Sequence, residues 1–221
     1  MGIVKRETPT ERKARARKII RLLERAYPDA KIALHFGDPL ELLVATILSA
    51  QCTDERVNQV TPDLFKKYRT AADWARLTPS ALEPQIRSTG FYRAKARSII
   101  GMANALVAEH GGEVPRDRAA LTALPGVGLK TANVLLGNAF GVPAIAVDTH
   151  VFRVTQRLGL ARSDDPDVIH DQLTEVLPKA SWTQTTHLIQ AHGRRTCVAR
   201  APRCPICPVR ALCPWPEKTR A

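Results

Sequence analysis

LPGVGLKTANV, residues 124–134, interrupts a helical pattern with one proline and two glycines and then resumes it. Pro125 ends the preceding helix, and the glycines permit a tight turn whose backbone N–H groups can approach an anion closely. The positive end of the next helix dipole points the same way. Helical corners also use glycine without binding a ligand. The stretch therefore predicts a helical hairpin and allows, without requiring, phosphate contacts at Gly126, Val127 and Gly128.

Lys130 lies in the first turn of the helix that follows the hairpin. A cation is unfavourable there because it faces the positive end of the dipole, so a structural lysine would be better placed at the other end. The dipole and partial burial would both favour the neutral amine, a nucleophile that forms Schiff bases with carbonyl carbons. Lys130 is therefore a candidate nucleophile, and a lysine that only contacts phosphate is the alternative.

A second candidate is Asp148, within AIAVDTHV at 144–151. Apolar, extended residues run into a helix that begins at Asp148, so its carboxylate is expected to cap that helix. A carboxylate preceded by apolar residues also suits the mouth of a pocket, where it stabilises a cationic sugar or accepts a proton from an attacking amine. Both roles are compatible, because an N-cap carboxylate is well oriented. We interpret His150 as a structural neighbour rather than a catalyst.

Helix start and stop signals recur along the whole chain. The capping box at 8–11 begins a basic helix that runs to about Tyr27, with an apolar stripe of Ile19, Leu22, Leu23 and Ala26. Asp38-Pro39 begins an almost entirely apolar helix, and Ser181 begins a late one. Further helices are predicted at about 54–68, 71–76, 79–86, 92–110, 148–158 and 166–177, and two more flank residues 124–128; the helix that Ser181 begins is predicted at 182–193. No stretch alternates between polar and apolar residues, so the predicted fold class is all-α.

Four of the five cysteines crowd into residues 197–213, with the spacing Cys197-x6-Cys204-x2-Cys207-x5-Cys213. Prolines keep this segment out of regular structure, and a metal centre held by four thiolates would replace the missing hydrophobic core. The spacing alone favours neither zinc nor a four-iron cluster. Between the first two cysteines, Arg200 and Arg203 are candidate phosphate contacts, with solvated surface arginines as the alternative.

The charge balance favours a polyanionic partner. Lys and Arg number 33 against 21 Asp and Glu, which gives a net charge of +12 among 221 residues. Nucleic acid is the commonest partner for such a surplus; a merely basic soluble protein or a membrane-surface binder is the alternative. No apolar run is long enough to span a membrane, and the N-terminus lacks the apolar core of a signal peptide. We therefore expect a cytoplasmic protein without a membrane partner.

Together these stretches resemble the endonuclease III family of helix–hairpin–helix DNA glycosylases, which share a Gly/Pro-rich loop and an aspartate. The resemblance covers nearly all of the chain from about residue 20, and the cysteine spacing is highly specific. It therefore favours a [4Fe-4S] cluster over zinc. The matching stretches are LPGVGLKTANV at 124–134, AVDTHVFRV at 146–154, HGRRTCVARAPRCPICPVRALC at 192–213, LLVATILSAQCTD at 42–54 and STGFYRAKA at 88–96.

The resemblance implies two all-α domains with a DNA-binding cleft between them. One would be a six-helix barrel with the helix–hairpin–helix, residues 32–142. The other would combine residues 1–31 and 143–221, with the cluster loop at 197–213. The implied partner is damaged double-stranded DNA, bound by a monomer of a bacterial, nucleoid-associated enzyme.

The resemblance also assigns roles. Lys130 corresponds to the nucleophile and Asp148 to the catalytic aspartate. Gln51 would fill the gap left by the flipped nucleotide, and Phe91 would push into the opposite strand, which suits an enzyme that must extrude its target base. The implied reaction is bifunctional: base removal through a lysine Schiff base, then β-elimination. Oxidised pyrimidines such as thymine glycol, together with abasic sites, are the implied substrates.

Three positions depart from the family pattern: Leu129 replaces a basic residue, Arg195 replaces an aromatic one, and Phe91 is bulkier than the usual leucine. Each could alter affinity or lesion range. Two alternatives remain. A monofunctional glycosylase for mispaired adenine or alkylated bases generally lacks the hairpin lysine. A non-catalytic, metal-stabilised DNA-binding protein would not need Lys130, Asp148 and Gln51 together.

Overall fold

The computed structural model describes residues 7–219, and the regular secondary structure of these residues is entirely helical. The all-α prediction is confirmed. The α-helices are α1 Pro9–Ala26, α2 Pro39–Leu48, α3 Asp54–Lys67, α4 Ala71–Ala75, α5 Pro79–Ile86, α6 Tyr92–Glu109, α7 Arg118–Ala123, α8 Leu129–Ala139, α9 Thr149–Arg157, α10 Pro166–Val176 and α11 Trp182–Arg195.

Most helix starts are set by side-chain caps that can be read in the sequence. Thr8 and Glu11 form the predicted capping box at the start of α1, and the Glu41 amide donates to the Asp38 carboxylate at 2.8 Å at the start of α2. Ser181 directly precedes α11, as predicted, but its side chain does not cap the helix. Its hydroxyl donates to the Pro178 carbonyl at 2.8 Å, and α11 begins without a side-chain cap.

The described chain divides into two compact units, one spanning Ile32–Val142 and the other joining the residues up to Lys31 with those from Pro143 onward. In the first, called here the central unit, α2 is buried along its whole length from Leu42 to Leu48. It packs against α3, α6 and α8, and α6 also packs against α4 and α5. An all-round apolar helix is stable only in such a position.

The second unit, called here the terminal unit, builds its core from α1, α9, α10 and α11. Helix α1 packs against α10 and α11, and α11 packs against α9. Ile19 and Leu23 lie in this core as predicted, whereas Ala26 is exposed and Leu22 is half-buried. The buried stripe is instead completed by Ala16 and Ile20. Among the described helices, none has the length and apolar character needed to cross a membrane.

Candidate active site

In the central unit, the hairpin before α8 is a tight turn of defined type. Leu124 has φ −69° and ψ 139°, Gly126 has φ 77°, and the Val127 amide donates to the Leu124 carbonyl at 3.1 Å. With Pro125 second and glycine third, this is the pattern of a type II turn. The residue types from Leu124 to Val127 are therefore those that a type II turn favours.

The two glycines of the hairpin serve different purposes. Gly126 needs its positive φ, and a Cβ built on it would lie 2.6 Å from the Cβ of Ser98 on α6. Gly128 has ordinary extended backbone, and a Cβ built there would meet nothing within 4 Å. Gly126 thus lets the hairpin lie against α6, while Gly128 leaves open space at the start of α8.

The start of α8 has the features of an anion site. Gly128 is its N-cap and supplies no side-chain cap, so the first amides of the helix are available to an external acceptor. Val127 differs from expectation, because its side chain is only 6% exposed and its amide is used inside the turn. Any contribution of Val127 to binding an anion is therefore indirect.

Lys130 lies in the first turn of α8, as the sequence indicates. The partial burial expected for it is not found, since its side chain is exposed. The amine is therefore presented to solvent directly after the hairpin.

Gln51 and Phe91 share an unusual backbone. Both are non-glycine residues in left-handed conformation, with φ 50° and 46° respectively. Both side chains are exposed, and Phe91 is 64% accessible. A bulky residue in this conformation costs free energy and persists only where its surroundings hold it.

In the terminal unit, Asp148 is held by two hydrogen bonds, one to each carboxylate oxygen. The Val151 amide donates to Oδ1 at 2.8 Å, which is the predicted N-cap. The Nε2 of Gln190 on α11 donates to Oδ2 at 3.0 Å. Each oxygen keeps a further lone pair, so the half-buried carboxylate is fixed in orientation and still able to accept a proton.

Gln190 in turn interacts with a buried histidine. Burial lowers the pKa of His187, and a side-chain hydrogen bond with Gln190 partly offsets this by raising it. Because Gln190 uses its NH2 group on Asp148, its carbonyl oxygen is left to accept from His187. These hydrogen bonds form a chain that runs from His187 through Gln190 to Asp148.

His150 is linked through Arg153 to the start of the cysteine loop. An N–H of Arg153 donates to its Nδ1 at 3.2 Å, and the same guanidinium donates to the carbonyls of Gly193 and Cys197. Since arginine can only donate, the proton of neutral His150 lies on Nε2. Burial lowers the pKa of His150, the Asp148 charge opposes this, and the Arg153 charge adds to it. The contacts describe a structural histidine.

Cys197, Cys204, Cys207 and Cys213 all line one cavity. Burial raises the pKa of Cys207, and the charges of the other three thiols raise it further. Burial raises the pKa of Cys213 too, with Cys197 and Cys204 adding to the effect. The charges of the neighbouring thiols therefore disfavour ionisation of Cys207 and Cys213.

Arg157 on α9 supports this loop from one side. It donates to the carbonyls of Val198 and Ala199 at 2.8 and 2.9 Å and to the Cys197 Sγ at 3.5 Å. Its guanidinium also lies 4.2 Å from the centre of the Trp215 ring. A cation–π contact of this kind stabilises a loop that has little apolar core of its own.

The arginines of the cysteine segment separate into two kinds. Arg200 and Arg203 are exposed, and Ala201 between them has a positive φ of 49°. Arg195 instead forms two hydrogen bonds with the Asp29 carboxylate, at 2.9 and 2.6 Å. It also covers the Tyr27 ring at 5.6 Å. These contacts with Asp29 and Tyr27 explain how an arginine is accommodated at position 195.

Two residues of the site region were missed by the sequence analysis: Gln190, beside Asp148, and Lys95, which lies beneath Gln51 and Phe91. Gln190 is separated from its partner by 42 positions, and Lys95 from one of its partners by 47. For Lys95 the available signal was a lysine among the apolar residues of the buried face of α6. Gln190 had no such signal, because its neighbours on the same face of α11, Thr186 and His187, are also polar.

Comparison with known proteins agrees with these features. Residues 44–179 match the model of the HhH-GPD superfamily base excision DNA repair protein. Endonuclease III of Synechocystis sp. is 48% identical over 92% of this chain and 93% of its own. Endonuclease III of Bacillus subtilis is 47% identical over 85% and 86%.

The structural neighbours include a trapped endonuclease III–DNA covalent intermediate described as an estranged-adenine complex. It has a TM-score of 0.88 and 48% identity, covering 91% of this chain and 95% of its own. Together with the hairpin and the all-α architecture, these likenesses show that the chain belongs to the endonuclease III family of base excision repair DNA glycosylase/AP lyases.

Proposed function

We propose that this enzyme excises oxidised pyrimidines such as thymine glycol from duplex DNA, with Lys130 as the nucleophile and Asp148 as its acid–base partner. The observation that carries the proposal is the position of Lys130: an exposed amine in the first turn of α8, directly after a hairpin open to an anion at Gly128. A phosphate bound by the helix start would bring a deoxyribose within reach of this amine.

The reaction begins with a neutral amine. The Lys130 ammonium gives up a proton, for which the Asp148 carboxylate is the proposed acceptor. The amine nitrogen then attacks C1′ of the flipped nucleotide, and the bond from C1′ to the base breaks, with its electron pair leaving on the base. The attached nitrogen then loses one of its two N–H protons. As its lone pair forms the C=N bond, the C1′–O4′ bond breaks and O4′ takes up a proton, which gives the protonated Schiff base. Abstraction of a C2′ proton then expels the 3′ phosphate by β-elimination.

Asp148 is suited to this role because its orientation is fixed by neutral donors. The Val151 amide and the Gln190 side chain occupy one lone pair on each oxygen. The remaining lone pairs can receive the lysine proton or face the positive charge that develops on the sugar. The covalent intermediate trapped in the endonuclease III–DNA neighbour supports covalent chemistry for this chain.

Binding of the damaged duplex is assigned to separate groups. The α8 start and the exposed Arg200 and Arg203 would contact phosphates, which gives affinity without sequence preference. Gln51 would occupy the space of the extruded nucleotide, and Phe91 would insert into the opposite strand. The estranged adenine of the neighbouring complex supports a role of this kind. The proposal includes action as a monomer on chromosomal DNA in the bacterial cytoplasm.

The cysteine loop is proposed to hold a [4Fe-4S] cluster through Cys197, Cys204, Cys207 and Cys213. Within residues 7–219, no three His, Cys, Asp or Glu side chains converge closely enough to hold a single metal ion. The four thiols all line one cavity, and four thiolates are the ligand set that a [4Fe-4S] cluster requires. A cationic centre would also reverse the repulsion that raises the pKa of Cys207. When bound, the cluster would order the loop.

The lesion class is tested with matched duplexes that contain thymine glycol, an A:G mispair or 3-methyladenine. We expect release of thymine glycol together with strand cleavage at the 3′ side. Lys130→Ala should abolish cleavage but retain binding to the damaged duplex. Lys66→Ala, which changes an exposed lysine of the same unit, should match the native enzyme. Preferred release of adenine or 3-methyladenine without strand cleavage would refute the proposal and indicate a monofunctional glycosylase.

A further inference from the structure

Lys95 is a buried cation that the proposed chemistry does not use. Its side chain is 4% exposed, and no other lysine among residues 7–219 is buried. Its ammonium donates to the Leu48 carbonyl at 2.8 Å and to the Thr89 carbonyl at 2.7 Å. Burial lowers the pKa of Lys95, and nearby Cys52 partly opposes this. A buried ammonium costs free energy unless polar groups of the protein replace its lost water. The two carbonyls supply these contacts.

Each carbonyl lies at the base of a loop that presents one proposed DNA-inserting side chain. Leu48 is the last residue of α2, directly before the Gln51 loop, defined as residues 49–52. Thr89 begins the Phe91 loop, defined as residues 89–91, whose end is followed by α6. One ammonium therefore joins the Gln51 loop to the Phe91 loop inside the central unit.

Both loops carry backbone strain at the residue that would enter DNA. Gln51 and Phe91 have φ of 50° and 46°, which costs free energy for residues with a side chain. The Lys95 amide also donates to the Phe91 carbonyl at 3.1 Å, so Lys95 holds the Phe91 loop through both its backbone and its side chain. Thr89, buried at 2% exposure, is fixed further by its hydroxyl, which donates to the Ile86 carbonyl at 2.8 Å.

We propose that Lys95 is a positioning residue that sets the spacing between Gln51 and Phe91, so that the two side chains enter the duplex together. The inference rests on the proposed DNA contacts of Gln51 and Phe91. An ammonium is the suitable group, because it offers several donors around one point charge and can solvate carbonyls that approach from two directions. The reacting atoms are not touched by Lys95, so its removal should affect base extrusion rather than bond breaking.

The test compares the native holoenzyme with Lys95→Met, which keeps the length of the side chain and removes its donors. Lys66→Met is the matched exposed control. One readout is the fluorescence of 2-aminopurine placed opposite an abasic site, which rises when that base is unstacked. The second is cleavage of an abasic site in duplex DNA and in a single strand, which has no opposite base to displace.

We expect Lys95→Met to lose the 2-aminopurine signal and to cleave the duplex roughly tenfold to a hundredfold more slowly, as for a misplaced positioning group. Cleavage of the single-stranded abasic site should remain native. In a Gln51→Ala/Phe91→Ala background, Lys95→Met should add no further loss. Should Lys95→Met fail to fold, Lys95→Gln replaces it, since a two-donor amide on a shorter stem preserves part of the connection.

The outcomes separate the two proposals. A folded Lys95 variant with native duplex cleavage and a native fluorescence signal overturns the positioning role, and so does an equal loss on duplex and single-stranded DNA. If the Gln51→Ala/Phe91→Ala protein itself behaves as native, the DNA contacts proposed for those residues are wrong, and the inference about Lys95 falls with them.

Discussion

Asp148 combines a structural role, as a helix cap, with a proposed chemical role in one carboxylate. As the N-cap of α9 it accepts from the Val151 amide, which satisfies one of the unpaired donors at the helix start. The same interaction orients the group for proton transfer. These two roles can be separated, because asparagine also caps helices but carries no charge.

Asp148→Asn should keep the fold and lose catalysis. Asparagine is as good an N-cap as aspartate, so the melting temperature should be nearly native. Base release should slow by roughly 10²–10⁴-fold, the usual contribution of an acid–base group. Asp148→Ala should show the same catalytic loss and also destabilise the protein by about 1 kcal/mol. Single-turnover excision and thermal unfolding measure the two effects, and a native rate for Asp148→Asn would exclude it from catalysis.

Gln190→Leu should reduce the rate of base release without weakening DNA binding. Leucine keeps the approximate size of the side chain but cannot donate to Asp148, so the carboxylate loses one of its two fixed contacts. In an Asp148→Asn background the same change should have little further effect, because interacting residues are not additive. Independent, additive losses in a double-mutant cycle would show that Gln190 does not act through Asp148.

At the scale of elements, the hairpin and α8 are considered together, because the two glycines of the hairpin have separate structural roles. Gly126 allows the turn and the contact with Ser98, whereas Gly128 leaves the helix start uncovered. An alanine at position 126 should therefore mainly reduce stability, whereas an alanine at position 128 should mainly reduce DNA binding.

Gly126→Ala should destabilise the protein by more than about 1 kcal/mol, because alanine is strained at positive φ and its Cβ would lie 2.6 Å from Ser98 Cβ. Gly128→Ala should nearly preserve stability but weaken DNA binding, since its methyl group covers the first amides of α8. Thermal unfolding and fluorescence anisotropy distinguish the two variants. Equal destabilisation with unchanged DNA affinity would contradict the separate roles of these glycines.

The helices were predictable largely because their starts are local. Thr8 and Asp38 cap within three residues, so the sequence contains both partners. The buried face of α1 is not fully determined by its own sequence. Ala26 fits the apolar period but is exposed, because the neighbouring helices α10 and α11 decide which side is buried. Periodicity cannot pair residues that are distant in sequence, such as Gln190 and Asp148. The hydrogen bond from Gln190 that orients Asp148 is therefore apparent only in the structure.

At the scale of the whole molecule, the net charge of +12 should make DNA affinity strongly dependent on salt. Each phosphate contact releases counterions, so the slope of log K against log salt counts those contacts. Arg200→Ala and Arg203→Ala should each reduce the slope by about 1. Arg195→Ala is the control, because Arg195 is already paired with Asp29. Unchanged slopes for Arg200 and Arg203 would identify them as solvated surface residues.

The cysteine loop should depend on the proposed cluster for order. Cys204→Ser should lose the brown colour of an iron–sulfur protein and lower the unfolding temperature, because the loop has little core to replace the cluster. Cys52→Ser, which changes the cysteine outside the loop, should keep both. Iron analysis and absorbance follow cluster retention, and a brown Cys204→Ser protein of native stability would refute this ligand assignment.

Covalent attack by Lys130 is the central claim, and borohydride trapping on a duplex with thymine glycol tests it most directly. Borohydride reduces a Schiff base to a stable amine, so the native enzyme should form a protein–DNA adduct whose modified peptide contains Lys130. Lys130→Ala should form none, while Lys66→Ala should trap as the native enzyme does. An adduct that persists in Lys130→Ala, or base release by the native enzyme with no adduct, would contradict the account.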